Sequence, residues 1–111
     1  MMRYGVVGKV LAGDMLAVDN GYTIVRISNV WAPDVSDPLG AELRNLTEEM
    51  LLGKQIRYVP TGHIHYDNVS IVSEVYLDKT WMNQLLRYWL TERLPHYSPV
   101  LKEEGSGSAQ S

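Results

Sequence analysis

Residues 13–34, GDMLAVDNGYTIVRISNVWAPD, decide the fold class of this chain. Asn20-Gly21 lies between two apolar stretches, and Asn-Gly in that setting is a strong local signal for a β-hairpin. The stretch after it, residues 22–28, is rich in the β-branched residues that strands favour. The segment therefore predicts two antiparallel strands joined by a tight turn and followed by a Trp-Ala-Pro-Asp turn.

The flanking sequence predicts a strand before this hairpin and a helix after it. Residues 5–18 are β-formers punctuated by two glycines, so they predict two short strands. After the hairpin, apolar residues recur at spacings of four, three and four, which is the period of an amphipathic helix. These residues are Leu39, Leu43, Leu46 and Met50. Asp37 is the predicted N-cap, Pro38 occupies the first turn, and Gly53 ends the helix.

The C-terminal half predicts two more strands and a second helix. Residues 54–59 and 69–77 have strand-like composition, and Pro60 with Gly62 marks the end of the first of them. A turn at residues 78–80 leads into the helix. The predicted core-facing residues of that helix, at spacing four, are Trp81, Leu85 and Trp89.

Three strands, a helix, two strands and a helix are the element order of an OB-fold barrel. The predicted fold class is therefore α+β, a closed five-stranded barrel with one helix between the third and fourth strands and one at the C-terminus. A chain of 111 residues, 45% of them hydrophobic, suits one domain with one core. We assign that domain to residues 1–97 and predict that residues 98–111, ending GSGSAQS, form a flexible tail.

Composition excludes sites built from cysteine and favours a cytoplasmic location. The net charge is −3, without the basic surplus typical of a dedicated nucleic-acid-binding protein. There is no cysteine, so disulfide bonds and thiolate metal sites are excluded. No stretch is apolar over the roughly 20 residues that a membrane span needs, and the N-terminus lacks a signal-peptide pattern. We therefore expect a cytoplasmic protein that does not associate with membranes.

Several sequence markers, taken together, resemble the staphylococcal-nuclease-like domain family over residues 7–90. No single marker is specific, but they occur in the family's order and at its spacing. They are Gly13-Asp14, Val25-Arg26-Ile27, the turn at residues 29–34, the helix exit at Leu52-Gly53-Lys54, and residues 75–86 with Asn83-Gln84-Leu85. The resemblance implies an OB barrel with a calcium-dependent site that cleaves phosphodiesters.

Three charged residues of that site are retained. The resemblance implies that Asp14 is a calcium-binding carboxylate and that Arg26 neutralises the substrate phosphate. Asp34 stands where the family has a glutamate that positions or deprotonates water, so the carboxylate here is on a side chain one methylene shorter. In this interpretation the catalytic residues are Arg26 and Asp34, and the metal ligand is Asp14.

Two other groups of the family's site are missing. Trp31 stands in place of the second metal carboxylate, and residues 68–70 contain no basic residue where the second arginine is expected. A calcium site with Asp14 as its one definite carboxylate is weak. No cofactor is therefore expected unless the nuclease interpretation holds, in which case the cofactor is calcium.

The same segment contains a candidate binding set of Trp31, Arg26 and Tyr22. Trp31 is either a platform for base stacking or a side chain that fills the space of the lost metal. Arg26 either binds a phosphate or pairs with Asp14 or Asp34 in a structural ion pair. The expected partner is a protein or a single-stranded nucleic acid, and nothing in the sequence predicts the oligomeric state.

His63, His65 and Asp67 form an alternative metal site. Histidines two residues apart in an extended segment point to the same side, and a nearby carboxylate completes a set that zinc or a similar cation accepts. The competing interpretation is a polar loop that happens to contain two histidines.

The sequence thus predicts a divergent nuclease-like OB-fold domain, impaired in catalysis, that binds a protein or a nucleic acid. One alternative is an active metal-dependent phosphodiesterase in which Asp14, Asp34 and Arg26 act with a replacement metal or with the two histidines. Another is a structural domain of an assembly that uses the last helix as its interface.

Overall fold

Five strands close into an OB-like barrel, and two helices pack against it. A computed structural model describes residues 2–64 and 69–94, without the side chains of residues 63 and 64. The elements are β1 (Arg3–Ala12), β2 (Met15–Val18), β3 (Thr23–Ile27), α1 (Pro38–Leu51), β4 (Gln55–Ile64), β5 (Ile71–Leu77), β6 (Thr80–Trp81) and α2 (Met82–Arg93). The predicted α+β class and the positions of both helices are confirmed, and β6 is an additional strand of two residues.

The barrel closes because β3 pairs with two strands. Antiparallel neighbours run in the order β3-β2-β1-β4-β5, and β3 then pairs with β5 in parallel, with Val25 opposite Ile71. The Ser28 N–H donates to the Ser73 carbonyl at 2.9 Å, which extends the closing pair. Closure of the sheet on itself creates an interior that side chains fill.

Apolar side chains from the strands and both helices fill that interior. The fully buried residues of the strands are Val7, Val10, Leu16, Val18, Val25, Ile27, Ile56, Tyr58 and Val75, and those of the helices are Leu43, Leu51, Met82, Leu86 and Leu90. Alternate strand residues point inward, as the pleat requires. The core therefore lies between the barrel wall and the two helices.

The hairpin and α1 form as the local sequence predicts. Asp19 and Asn20 both adopt positive φ, 54° and 58°, and the Gly21 N–H donates to the Val18 carbonyl at 3.0 Å, so the hairpin turn is confirmed. The Asp37 side chain accepts the N–H of Leu39 and caps α1, which has Pro38 in its first turn. Gly53, just beyond the helix, has φ 79°.

The predicted end of the fourth strand at Pro60 and Gly62 is wrong. β4 continues to Ile64, with Pro60 opposite Ser73 and an irregular register between Pro60 and Ile64. Pairing with β1 extends only as far as Tyr58, so β4 is an edge beyond that point. Proline is tolerated on such an edge because one side of the strand needs no ladder hydrogen bond.

The predicted core face of the last helix is displaced by one residue: Leu85 and Trp89 pack against the edge of the core, and their neighbours Leu86 and Leu90 are buried in it. Trp81 belongs to β6, and Leu85 and Trp89 are half-buried, whereas the buried residues of α2 are Met82, Asn83, Leu86 and Leu90. The two sets have similar spacing and differ by one residue, so periodicity alone does not fix which set faces the core. The polar edge of an indole ring favours the half-buried positions.

Candidate functional site

Asp14 and Arg26 form a direct, largely buried ion pair. Asp14 lies in the turn between β1 and β2, and Arg26 lies on β3 opposite Met15. Arg26 Nη1 donates to Asp14 Oδ2 at 2.7 Å. The Asp14 side chain is 8% exposed and that of Arg26 is 21% exposed. Water and salt therefore screen this pair much less than a surface ion pair.

Main-chain contacts fix Asp14 in this position. Its carbonyl accepts the Ile27 N–H at 2.8 Å, so its main chain and its side chain both bind β3. The Gly13 carbonyl accepts the Thr47 hydroxyl at 3.0 Å, which ties the turn to α1. A Cβ on Gly13 would lie 2.5 Å from Leu43 Cγ, so a glycine allows α1 to pack this closely.

Arg26 has one buried donor beyond the ion pair. Its Nε is buried and has no hydrogen-bond partner among residues 2–64 and 69–94. A buried donor without an acceptor costs about 1–3 kcal/mol. The guanidinium therefore favours an additional acceptor at this atom.

Asp34 is held in a turn of its own. Its Oδ1 accepts the Ser36 backbone N–H at 2.8 Å and the Ser36 hydroxyl at 2.8 Å. These two bonds, the backbone bond first, lower the pKa of Asp34 below its usual 3.8. The carboxylate is therefore ionised at neutral pH, and within the described part of the chain it forms no ion pair with Arg26.

Trp31 points outward. Asn29, two residues after the end of β3, adopts positive φ, 61°, and Val30 is then buried in the core with 4% exposure. Trp31 follows with 54% exposure. This exposure is greater than that of a side chain packed into the space of a metal, so it favours the alternative in which Trp31 is a stacking platform.

Helix α1 supports both loops of the site. It holds the Gly13-Asp14 turn through Thr47, and its Gly40 lies against the Pro33-Asp34 turn. A Cβ on Gly40 would come within 2.0 Å of the Asp34 carbonyl oxygen and 2.6 Å of the Pro33 carbonyl oxygen. The close approach of this helix thus sets where the two retained carboxylates stand.

The structure describes some of the other predicted site residues and leaves others outside the described ranges. Tyr22 is 90% exposed at the end of the hairpin, as a binding residue would be. Ser70, in the segment where a second arginine was expected, is 6% exposed and directly precedes β5. The side chain of His63, and His65 and Asp67 altogether, lie outside the described residues, as does the predicted tail at 98–111.

The described residues do not fit a calcium ion. Calcium takes six to eight oxygen ligands, usually including several carboxylates. Oδ2 of Asp14 accepts from Arg26, Oδ1 of Asp34 accepts from Ser36, and the Trp31 side chain, in place of the second carboxylate, contains no oxygen. No cluster of three His, Cys, Asp or Glu side chains occurs within residues 2–64 and 69–94.

Sequence reasoning missed the roles of Ser36 and Asn83. Asp-x-Ser is a local signal for a side-chain-capped turn, so the Asp34–Ser36 pairing was accessible from the sequence. Asn83 was only a marker of resemblance, yet it is 1% exposed and bonds to three main-chain groups. The pattern that could have indicated this role is a single amide residue on the same helix face as the apolar residues 82, 86 and 90.

Comparison of the sequence with protein-family models and with curated proteins found no match. Within the described ranges, neither α1 nor α2 is long and apolar enough to cross a membrane.

Proposed function

We propose that this chain is a divergent OB-fold binding module whose nuclease-like site does not cleave phosphodiesters. The observation that carries the proposal is the ion pair of Asp14 and Arg26, closed at 2.7 Å. In the cleaving site that the resemblance implies, the carboxylate binds a cation and the guanidinium binds the phosphate. Here these two groups bind each other.

The remaining charges of the site support the same proposal. Asp34 accepts hydrogen bonds from Ser36 within its own turn. Water activation by a carboxylate also needs a cation or arginines to offset the charge that develops on the phosphate. In the described part of the site, Arg26 is the one such group, and it is paired.

Exposed aromatic side chains suit the barrel to binding. Trp31, which follows β3, is 54% exposed, and Tyr22, in the hairpin before β3, is 90% exposed. Aromatic side chains anchor many protein interfaces, and each base that stacks on one gains about 1–3 kcal/mol. The net charge of −3 favours a protein partner, with single-stranded nucleic acid as a weaker ligand.

A nuclease assay over several divalent cations tests the loss of cleavage. Single-stranded DNA and RNA are incubated with calcium, manganese, magnesium or zinc and with the wild-type chain or Arg26→Ala. We expect the two proteins to give the same background. Arg3→Ala, which removes an exposed arginine on β1, is the matched control. Cation-dependent cleavage that Arg26→Ala abolishes and Arg3→Ala retains would overturn the proposal.

An oligonucleotide titration tests the nucleic-acid arm separately. Stacking on Trp31 predicts fluorescence quenching that Trp31→Phe removes, and phosphate contacts predict weaker affinity at higher salt. Quenching retained in Trp31→Phe, or affinity that does not change with salt, would leave a protein as the partner.

An active metal-dependent phosphodiesterase is the second candidate function. Two observations favour it: Arg26 Nε has no hydrogen-bond partner among the described residues, so an Arg26 released from Asp14 has a donor left for a phosphate oxygen, and Asp34 is ionised at neutral pH. It would require a ligand to displace Asp14 from Arg26 and a cation held partly by residues outside those described, such as His65. The cation panel above decides between the two functions.

A further inference from the structure

We propose that Asn20 is a site of spontaneous deamidation that loosens the hairpin between β2 and β3. The hairpin tip comprises residues 19–22, and all four are exposed. Asn20-Gly21 is the one Asn-Gly pair in the sequence, and asparagine is among the thermally labile side chains. Neither residue of the Asp14–Arg26 pair belongs to the tip, so this modification goes beyond the proposed function.

The reaction joins the two residues of this pair in a cyclic imide. The Gly21 backbone nitrogen bonds to the Asn20 side-chain carbon Cγ, and the bond from Cγ to the amide nitrogen breaks. That nitrogen leaves as ammonia, with the proton that the Gly21 nitrogen loses. Water then opens the imide at either of its carbonyls, which gives aspartate or isoaspartate at position 20.

Glycine makes the attacking nitrogen accessible. A bulky or branched side chain would crowd this nitrogen, and glycine has no Cβ. Apart from its chain neighbours, no described residue comes within 4 Å of a Cβ built on Gly21. The tip therefore has room for the imide and for the water that opens it.

The other asparagines that the structure describes are protected. Asn45 is exposed but lies within α1, where the helix fixes the backbone of the residue that follows. Asn83 is 1% exposed, and both polar atoms of its amide are hydrogen-bonded. Asn29 has positive φ, as Asn20 has, but it is half-buried and a branched valine follows it. Within the described ranges, exposure and a glycine neighbour therefore coincide only at Asn20.

The folded hairpin slows the reaction because the attacking nitrogen is already engaged. The Gly21 N–H donates to the Val18 carbonyl at 3.0 Å, and the Tyr22 N–H donates to the Asp19 carbonyl at 3.2 Å. Asp19, Asn20 and Gly21 all have positive φ, of 54°, 58° and 89°. Closure of the imide requires the Gly21 nitrogen to leave Val18 and turn towards the Asn20 side chain. The rate therefore depends on how often the tip opens locally.

The isoaspartate product changes the turn itself. It routes the main chain through the side-chain β-carbon, which adds one backbone atom between positions 20 and 21. A turn of positive φ matches the twist of the strands that it joins, and the added atom removes that match. The Asp19 N–H, which donates to the Val6 carbonyl at 3.3 Å, lies in the same tip, so its contact with β1 weakens as well. Both products also add a negative charge to the tip that carries Tyr22.

Peptide mapping by mass spectrometry tests the site. The full-length chain is incubated in neutral buffer, digested and analysed for aspartate and isoaspartate at each asparagine. We expect both products to accumulate at position 20, while Asn45, the exposed internal control, stays unmodified. Modification at Asn20 that is no faster than at Asn45 would overturn the proposal.

Two variants of Asp19 test the control of the reaction by the hairpin. Asp19→Ala and Asp19→Gly both remove the carboxylate and keep the Asn-Gly pair. Alanine disfavours the positive φ of 54° at this position, whereas glycine accepts it. We expect deamidation of the folded chain to be about fivefold faster in Asp19→Ala than in Asp19→Gly. Equal rates in the two folded variants, or a difference that persists in urea, would contradict control by the hairpin.

Amide hydrogen exchange followed by NMR tests the loosening of the hairpin. In the separated isoaspartate form, we expect loss of protection at the N–H groups of Asp19 and Tyr22. Asn20→Asp carries the same charge on an unaltered backbone, so it should retain that protection. Full protection in the isoaspartate form would mean that the hairpin is not loosened. These measurements involve no nucleic acid, cation or partner, so they fail or succeed separately from the nuclease assay.

Discussion

Asn83 joins three parts of the barrel through one side chain. Its Oδ1 accepts the Val75 N–H at 2.7 Å, and its Nδ2 donates to the carbonyls of Ser28 at 2.8 Å and Ser73 at 3.2 Å. The amide thereby connects the end of β3, the middle of β5 and the start of α2. Loss of the side chain would leave buried main-chain groups without partners, which is costlier than losing an exposed hydrogen bond.

We expect Asn83→Ala to destabilise the protein by about 3 kcal/mol, measured by urea unfolding. Asn83→Asp should also destabilise it, because a carboxylate oxygen would then face the carbonyls of Ser28 and Ser73. Gln84→Ala, the loss of an exposed neighbouring amide, is the control and should change stability by no more than about 0.5 kcal/mol. A comparable loss in Gln84→Ala would contradict the role given to Asn83.

We expect Ser36→Ala to raise the pKa of Asp34 towards 3.8, followed by NMR titration of the Asp34 carboxyl. The backbone bond from Ser36 remains, so the return is partial. A lowered folded-state pKa stabilises the protein above the unfolded value of 3.8, and that contribution is lost as the pH falls through the folded-state pKa. The stability difference between wild type and Ser36→Ala should therefore shrink below pH 3.8. Ser36→Thr keeps the hydroxyl and is the control; identical titrations of Asp34 in all three proteins would contradict the expectation.

At the scale of single residues, the sequence identified the charged residues of the site and offered the Asp14–Arg26 ion pair as one alternative, which the structure confirms, but it could not choose between that pair and phosphate binding. Asp14 and Arg26 were visible, yet an ion pair and a phosphate-binding arrangement require the same two residue types. The choice depends on the turn at Gly13 and on the register of β2 against β3, with Met15 opposite Arg26. The exposure of Trp31 likewise depends on the positive φ of Asn29, which the residue type permits but does not require.

Among the elements, α1 does the most to place the site. Thr47 binds the Gly13 carbonyl, Arg44 Nε donates to the Val10 carbonyl at 3.2 Å, and Gly40 contacts the Pro33-Asp34 turn. The helix therefore holds the end of β1 and both loops that carry the retained carboxylates.

We expect Gly40→Ala to destabilise the protein by about 2–4 kcal/mol in urea unfolding. In most helix interiors this change stabilises by roughly 0.5–1 kcal/mol, so the sign is diagnostic. Here the new Cβ would meet the Asp34 carbonyl at 2.0 Å, which neighbouring side chains cannot relieve. Gly8→Ala is the control, since its Cβ would lie 3.9 Å from the nearest atom, the Ala17 carbonyl oxygen. Stabilisation by Gly40→Ala would show that α1 does not press on this turn.

Elements with several local signals were predictable, and a strand of only two residues was not. The hairpin at Asp19-Asn20 and the cap at Asp37 are determined by nearby residues. β6 exists because Thr80 and Trp81 pair with Leu77 and Tyr76, and no local pattern announces two residues of strand. The assignment of α2's buried face depends on where β6 ends and the helix begins.

At the scale of the whole molecule, the order of the elements was enough to predict the fold class but not to predict which strand pairing closes the barrel. Parallel pairing of β3 with β5 joins segments that are far apart in sequence, with Arg26 opposite Val72 and Ile27 opposite Ser73. Parallel pairing of this kind adds no periodic pattern to the sequence, because each strand alone already has the composition of buried β-structure. It follows only from recognising the complete element order as that of a closed barrel.

The closing pair and the Asn83 bridge predict that the barrel opens as one cooperative unit. We expect the backbone N–H groups of Ile27, Ser28 and Val75, which bond to Asp14, Ser73 and Asn83, to exchange with solvent only through global unfolding. In Asn83→Ala, hydrogen exchange followed by NMR should then show the opening free energies of Ile27 and Ser28 falling by the same amount as the urea stability, although neither N–H touches Asn83. The Leu39 N–H, bonded to Asp37 at the exposed start of α1, is the internal control and should exchange by local fraying at an unchanged rate. Loss of protection at Val75 alone would mean that the bridge opens independently of the barrel, and cooperative closure through Asn83 would then be wrong.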